Sequence, residues 1–195
     1  MRACFCVLVG LVFLAAASSA PAEITNWYCM DDGDGAISCV ADFSYDDYTM
    51  TIDGDQFWAP GHMEGWFETN TALDPTVMMW SSVENNTAFA WTGYLVNVKM
   101  GNTFVLSDPT IYVINDWTAN LVQPVQVGSD WIGSVVFSGG TPIGWGETFE
   151  FSYKMSFDGS TYYQFCQEMM PVPEPGAIAL LFAGALCALA VFRRK

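Results

Sequence analysis

Residues 148–157 read Thr-Phe-Glu-Phe-Ser-Tyr-Lys-Met-Ser-Phe. Large apolar side chains alternate with smaller or charged ones through the whole stretch, and successive side chains of a β-strand point to opposite faces of a sheet. The period of two predicts a strand that buries one face and exposes the other. The Asp158-Gly159-Ser160 turn that follows predicts a hairpin with a second strand at residues 162–166.

The same alternation recurs earlier in the chain. Residues 37–44 alternate, and so do Tyr48, Met50 and Ile52 before an Asp53-Gly54-Asp55 turn. Further strands are predicted at residues 88–100, 104–106, 111–114 and 131–137. Proline and glycine interrupt the chain too often for long helices. About ten short strands at this spacing predict an all-β fold, either an antiparallel β-sandwich or a jelly roll.

Residues 1–22 have the features of a secretory signal peptide. Arg2 supplies the positive end, residues 3–17 form the apolar run, and Ala20-Pro21-Ala22 offers small residues before a cut at Glu23. A retained transmembrane helix is the alternative, which the short run and the small-residue end disfavour. Without this segment and the C-terminal tail, an ectodomain remains at residues 23–168, enough for one domain with a substantial core.

The charge of the ectodomain limits its partners. Residues 23–172 contain 20 Asp and Glu against two Lys, which gives a net charge of −18. Such a surface repels phosphate backbones, so nucleic acid is excluded as a partner. Aromatic residues make up 15% of the chain, which argues against a disordered protein.

Export would place the domain in an oxidising compartment, where disulfides persist. Three of the six cysteines lie in the two terminal segments, which leaves Cys29, Cys39 and Cys166. We expect a disulfide between Cys29 and Cys39, because residues 31–35 (DDGDG) predict a turn that pairs two short strands. A disulfide between Cys29 and Cys166 is the alternative. A zinc site is disfavoured, because there is no Cys-x-x-Cys pair.

Aspartate-rich turns make calcium the one cofactor for which the sequence offers ligands. Asp32 and Asp34 lie in the first turn, and Asp53 and Asp55 lie in the later one. Calcium prefers hard oxygen ligands from flexible loops, although none of these segments matches an EF-hand. The alternative is that Asp and Gly are present only because they form turns.

The single histidine begins a second candidate site. In a strand, His62, Glu64, Trp66 and Glu68 would share one face, where a base, two carboxylates and an aromatic ring could form a binding surface. The alternative is an ordinary solvent-exposed face. No Gly-x-Ser-x-Gly motif is present and no nucleophile can be placed beside the lone histidine, so no catalytic residue is predicted and we do not expect an enzyme.

The C-terminus is an apolar run with cations behind it. Residues 176–192 carry no charge, and as a helix rising about 1.5 Å per residue they would span roughly 25 Å, close to the thickness of a thin bilayer. Arg193, Arg194 and Lys195 follow and mark the cytoplasmic side. The sequence predicts a transmembrane helix at 176–192 and a basic cytoplasmic tail at 193–195. A buried helix is disfavoured, because the run has no polar face.

Pro173, Glu174 and Pro175 stand directly before this run, at the end of a Met- and Pro-rich stretch that predicts an extended spacer at residues 169–175. This order of Pro-Glu-Pro, short apolar helix and final basic cluster resembles the PEP-CTERM sorting signal of Gram-negative bacteria. The resemblance implies that exosortase, a membrane protease and transpeptidase, recognises the Pro-Glu-Pro and that the arginines act as the cytoplasmic stop.

The resemblance further implies export across the inner membrane, transient anchoring in it, and delivery to the cell surface or extracellular matrix. It covers only residues 172–195 and implies nothing about the ectodomain. For the ectodomain, a non-catalytic surface or matrix protein is the leading hypothesis. A carbohydrate-binding module that retains extracellular polysaccharide through exposed tryptophans is the second. A small glycoside hydrolase is the third, since the many acidic residues offer carboxylate pairs.

Overall fold

A computed structural model describes residues 22–73, 75–112, 116–157 and 159–174. The predicted transmembrane helix at 176–192 and the cytoplasmic tail at 193–195 lie outside the described residues, as does the predicted signal peptide except for Ala22. Ala22 is buried, and the backbone N–H of Glu23 donates to the side-chain oxygen of Asn70 at 2.9 Å. Both residues are therefore part of the folded domain, and the predicted cut before Glu23 stays a prediction.

Every regular element in the described ranges is a β-strand, because the period of two dominates the sequence. The strands are β1 (Ile24–Asp31), β2 (Ile37–Ser44), β3 (Thr49–Gln56), β4 (Gly61–Thr69), β5 (Thr76–Asn85), β6 (Trp91–Met100), β7 (Phe104–Ile111), β8 (Thr118–Val127), β9 (Asp130–Ile143), β10 (Thr148–Phe157) and β11 (Tyr162–Pro173).

The strands form two sheets of a sandwich, which confirms the all-β prediction. The six-stranded sheet has the order β1-β4-β11-β6-β9-β8, and the five-stranded sheet has the order β2-β3-β5-β10-β7. Pairing is antiparallel except between β3 and β5, which run parallel, so the prediction of an antiparallel sandwich is wrong at that pair. Between them the chain runs back through β4 in the other sheet, and β5 therefore returns in the direction of β3.

Two predicted hairpins are wrong for a related reason. β1 and β2 lie in different sheets, and so do β10 and β11. The chain therefore passes from one sheet to the other between β1 and β2 and again between β10 and β11. The Asp53-Gly54-Asp55 turn is also wrong, because these residues lie inside β3 with both carboxylates on its exposed face. Alternation identifies the buried face of a strand but does not identify its neighbour.

The last strand is longer than the sequence predicts. β11 continues to Pro173 and Met169 is completely buried, so the predicted spacer at 169–175 is wrong for residues 169–173. The prolines are tolerated because, beyond Met169, β11 pairs with β6 on one side only, and proline needs a strand side without a hydrogen-bonding partner. The ectodomain therefore reaches the Pro-Glu-Pro itself.

Aromatic rings from both sheets make up much of the core. Phe67 on β4 stacks on Phe165 of β11 at a centroid distance of 5.2 Å and on Phe157 of β10 at 5.7 Å. Each fully buried ring of this size contributes about 1.5–3 kcal/mol through burial. Phe149, Phe151 and Tyr153 of β10 are also fully buried. The stretch quoted first is thus an interior strand of its sheet, between β5 and β7, with its large apolar side chains in the core.

A buried amide joins the two sheets at one end of the sandwich. Gln56, at the end of β3, is fully buried, and its Nε2 donates at 2.9 Å to the carbonyl oxygens of Trp58 and of Met169 on β11. Its Oε1 accepts the hydroxyl of Tyr94 on β6. Because every polar group of the amide has a partner, this bridge avoids the penalty of an unpaired buried dipole.

The described cysteines are free thiols in this structure. Cys29 and Cys39 lie on β1 and β2, the edge strands of the two sheets, and both pack against the core. Burial raises the pKa of Cys29 to about 12 and that of Cys39 to about 11, so little reactive thiolate exists at neutral pH. A bridge between them would close the sandwich edge, and it stays a prediction.

Geometry argues against the alternative bridge to Cys166. Cys29 faces the core from β1, whereas Cys166 lies on the outward face of β11, with β4 between the two strands. Two strand spacings amount to about 9–10 Å, which exceeds the roughly 7 Å limit between the Cα atoms of a disulfide.

We expect exported protein to contain the Cys29–Cys39 bridge, which closes a short loop and should stabilise the domain by about 2–3 kcal/mol. Reductant should therefore lower the unfolding midpoint of the wild type but not of Cys29→Ser/Cys39→Ser. Cys166→Ser is the matched control and should respond to reductant like the wild type. Peptide mapping that finds Cys29 and Cys39 both alkylated without prior reduction would refute the pairing.

Replacing Gln56 by leucine should lower the free energy of unfolding by about 1–3 kcal/mol, because the Tyr94 hydroxyl and two carbonyl groups lose their partner in the core. Denaturant unfolding of the purified full chain in detergent measures this change. Gln126→Leu, at an exposed glutamine of β8, is the control and should change stability by less than about 0.5 kcal/mol. Equal effects of the two substitutions would contradict the role of the bridge.

Candidate functional site

The four residues of the predicted binding face lie on one strand, β4. Met63, Gly65 and Phe67 point into the core, so the residues between them, His62, Glu64, Trp66 and Glu68, lie together on the outward face. β4 lies between β1 and β11, and the same face of these neighbours completes the surface. The structure therefore places all four residues as the sequence predicts, near the β1 edge of the six-stranded sheet.

Trp66 is the centre of an aromatic row that crosses three strands. Tyr28 of β1 stacks on it with a centroid distance of 6.1 Å and an interplanar angle of 18°, and Tyr162 of β11 lies at 5.8 Å and 33°. The two tyrosines are 40% and 46% exposed, whereas Trp66 is half-buried. We call Tyr28, Trp66 and Tyr162 the aromatic row. Sequence reasoning missed both tyrosines, because only strand register brings them beside Trp66.

A shallow groove begins at Tyr162, the β11 end of the row, and extends toward β6 and β9. It has a volume of about 420 Å³. Its polar lining residues are Glu64, Lys99, Asn102, Asp130, Tyr162, Gln164 and Cys166. The Lys99 ammonium lies 3.0 Å from the Asp130 carboxylate. This hydrogen bond lowers the pKa of Asp130 and raises that of Lys99, so both groups are charged at neutral pH.

The same outward face carries a series of interacting polar side chains that begins at His62. His62 Nε2 lies 3.6 Å from Glu168 Oε1, and the other Glu168 oxygen accepts from Asn97 Nδ2 at 2.7 Å. Asn97 Oδ1 in turn accepts from the Ser134 hydroxyl at 2.6 Å. The series spans β4, β11, β6 and β9, and it orients donors and acceptors in a row parallel to the aromatic row.

The four aspartates of the calcium hypothesis do not form one site. Asp53 and Asp55 lie on β3 in the five-stranded sheet. Asp32 and Asp34 lie in the turn after β1, where one oxygen of each accepts a backbone N–H, at 3.1 Å and 2.7 Å respectively. These hydrogen bonds are those of turn-forming aspartates, the alternative interpretation of the sequence.

The second oxygens of Asp32 and Asp34 lie 3.5 Å and 3.9 Å from His62 Nδ1. These three residues are the group that the described chain offers as metal ligands. Two carboxylates and an imidazole suit a transition metal better than calcium, which prefers oxygen ligands alone. The geometry therefore does not favour calcium. The contact of Asp32 and Asp34 with His62 explains the position of the two aspartates equally well.

The C-terminal end of the described chain is part of the fold. Pro173 is the last residue of β11 and pairs with Trp91 at the start of β6. The backbone N–H of Glu174 donates to the carbonyl oxygen of Ala90 at 3.2 Å. Pro175 and the residues after it lie outside the described residues. The first two residues of the predicted recognition element are therefore held against the start of β6.

Residues 171–195 match the family of the PEP-CTERM protein-sorting motif. The chain carries a PEP-CTERM sorting motif at its C-terminus. The motif implies export, transient anchoring in the membrane and cleavage by exosortase. The match covers the tail and the end of β11.

No curated protein and no solved structure matches the chain. Among the residues that the structure describes, no helix has the length and apolarity needed to cross a membrane. The candidate site must therefore be interpreted from its own geometry.

Replacing Pro173, Glu174 and Pro175 by alanine should leave the protein full-length and associated with the membrane, because the element that exosortase reads is gone. Immunoblots of membrane and surface fractions measure this outcome. Val172→Ala is the control, since Val172 is 46% exposed and its replacement leaves the Pro-Glu-Pro intact. Unchanged processing of the alanine variant would contradict the assignment of these three residues.

Proposed function

We propose that the exported sandwich is a non-catalytic surface or matrix protein that binds extracellular polysaccharide on the outer face of its six-stranded sheet. The observation that carries this proposal is the aromatic row of Tyr28, Trp66 and Tyr162 beside an open polar groove. The sorting motif supports the location, since it implies delivery to the outside of the cell.

The chemistry of the face suits a sugar chain. Pyranose rings present apolar C–H faces that pack on aromatic rings, while their hydroxyl groups need hydrogen-bonding partners around the rim. The row offers three rings in sequence, and Gln164, Asn102 and Glu64 line the adjoining groove. The groove is open, as binding to the middle of a long polymer requires, and its volume lies within the usual range of ligand sites.

Charge narrows the class of polysaccharide. The ectodomain carries 20 acidic residues against two lysines, and Lys99 is already paired with Asp130 in the groove. Uronate or sulfate groups would meet repulsion from Glu64 and Glu68 on this face. We therefore propose a neutral polysaccharide, or one that carries amino groups, as the ligand.

The groups in the groove support binding more than hydrolysis. A glycosidase needs one carboxyl group whose pKa is raised so that it can donate a proton. Lys99 has the opposite effect on Asp130, since its hydrogen bond lowers the pKa of that carboxyl. Burial and the nearby Glu64 raise the pKa of the Cys166 thiol, so this thiol is a weak nucleophile.

Trp66→Ala should weaken binding to neutral polysaccharide by about tenfold or more, because the central ring of the row is lost. Affinity electrophoresis of the exported protein in gels containing neutral, amino or anionic polysaccharides measures the change. Trp80→Ala is the matched control, because Trp80 is also half-buried on the outward face of a strand but lies in the five-stranded sheet. The control should bind like the wild type.

Two outcomes would overturn the proposal. The first is the absence of retardation by every polysaccharide at any concentration that enters the gel. The second is release of reducing ends by the wild type that Glu64→Gln abolishes, which would favour the glycoside hydrolase hypothesis instead.

A further inference from the structure

Four turns meet at the end of the sandwich where β11 finishes. They are the turns that follow β1, β3, β5 and β9, and backbone hydrogen bonds connect them. The N–H groups of Phe57 and Trp58 donate to the carbonyl oxygen of Ala36, and the N–H of Gly146 donates to that of Asn85. The turns surround a cleft of about 450 Å³ whose lining includes Phe57, Trp58 and Trp145.

This end of the molecule exposes large aromatic side chains to an unusual degree. Trp58 is 69% exposed, Trp145 is 74% exposed and Phe57 is 40% exposed. We call these three residues the aromatic end. Burial of a tryptophan or phenylalanine is strongly favourable, so a cluster of exposed rings around one cleft indicates a surface that contacts something apolar.

The anchor leaves the domain beside the aromatic end. The N–H of Glu174 donates to the carbonyl oxygen of Ala90, and Ala88, two residues earlier in the same turn, lines the cleft. The uncharged apolar run begins at residue 176, so one residue separates it from Glu174. Two residues of fully extended chain reach at most about 7 Å. While residues 176–192 are in the bilayer, this end of the sandwich must lie at its surface.

We propose that the aromatic end inserts Trp58, Trp145 and Phe57 into the headgroup region of the membrane while the unprocessed chain is anchored. Tryptophan prefers this region, because its large apolar ring faces the acyl chains while its N–H keeps a polar partner. The proposal rests on the sorting motif and is independent of polysaccharide binding, which uses a face of the six-stranded sheet rather than its end.

The fold fixes the backbone of the turns that carry these rings. The buried Asn85 side chain donates to the carbonyl oxygens of Phe89 and Ile143 and accepts from the N–H of Thr87. Gln56 fixes Trp58 through the carbonyl oxygen of that residue. Because the turns are braced from inside, the contact with the membrane does not have to order their backbone.

Charge predicts which lipid the aromatic end prefers. Acidic side chains at Asp34, Asp55 and Glu147 belong to the same turns or to the strand ends beside them. The two lysines in the described ranges are paired elsewhere, Lys99 with Asp130 and Lys154 with Asp108. Contact should therefore be closer with zwitterionic phosphatidylcholine than with vesicles rich in phosphatidylglycerol.

The membrane contact of the aromatic end depends on the anchor, because the anchor keeps the effective concentration of these rings at the membrane high. Cleavage of the tail should therefore release the aromatic end from the membrane.

The test uses the full-length chain reconstituted in phosphatidylcholine vesicles that carry bromine either near the headgroup end of the acyl chain or near the bilayer centre. Bromine quenches tryptophan fluorescence on contact. The shallow label should quench the wild type more than the deep label, and Trp58→Phe/Trp145→Phe should remove more than half of that quenching. Trp66→Phe is the matched control and should quench like the wild type.

Three results would overturn the proposal. Quenching that is unchanged in the double variant would place other tryptophans at the membrane. Quenching of the wild type that rises with the protein-to-lipid ratio would mean that a second copy brings the rings to the lipid. Rings that stay unquenched until purified exosortase is added would mean that the enzyme is needed to bring them there. Both variants keep an aromatic ring at each changed position, and none of these positions is fully buried, so near-ultraviolet circular dichroism should verify an unchanged fold.

Discussion

The hydrogen-bonded amide of Gln56 is the constraint on which the arrangement of this domain depends. The burial of apolar surface area stabilises a sandwich core of aromatic rings, but it does not by itself fix the position of one sheet relative to the other. Gln56 reaches from β3 to a carbonyl oxygen of β11, and Tyr94 of β6 completes its set of partners. A shift of either sheet by one residue would leave these polar groups buried and unpaired.

That constraint acts at the end of the domain from which the chain departs. Asn85 braces the neighbouring turn in the same way, so the last residues of β11 rest on a rigid support. The consequence is a division of the surface into two regions. The outward face of the six-stranded sheet remains free to meet large soluble molecules, while the end with the four turns is committed by the short connection to the membrane.

The sequence predicts the local structure well and the neighbours poorly. Alternation predicts β10, and the period of a strand places His62, Glu64, Trp66 and Glu68 on one face if residues 62–68 form a strand, as β4 does, because these statements concern one strand at a time. The aromatic row could not be predicted, since Tyr28 and Tyr162 join Trp66 only through the register of β1 and β11 with β4. The sequences at 31–35 and 158–160 predict hairpins, because the residues that form a turn are the same whether it joins two strands of one sheet or two strands of different sheets. The Met- and Pro-rich stretch predicts a spacer because its prolines conceal the alternation of a strand. In the structure the alternation is present, since Met169 and Pro171 are buried and Val172 is exposed.

The position of β11 also determines when the domain can fold. Among the described strands this one is the last in chain order, yet it lies in the interior of the six-stranded sheet between β4 and β6. Until it arrives, those two strands have no common partner, and Gln56 has no carbonyl of Met169 to bind. In a chain exported as the sorting motif implies, the six-stranded sheet is complete only after β11 has crossed, and β11 directly precedes the segment that the motif implies is anchored in the membrane.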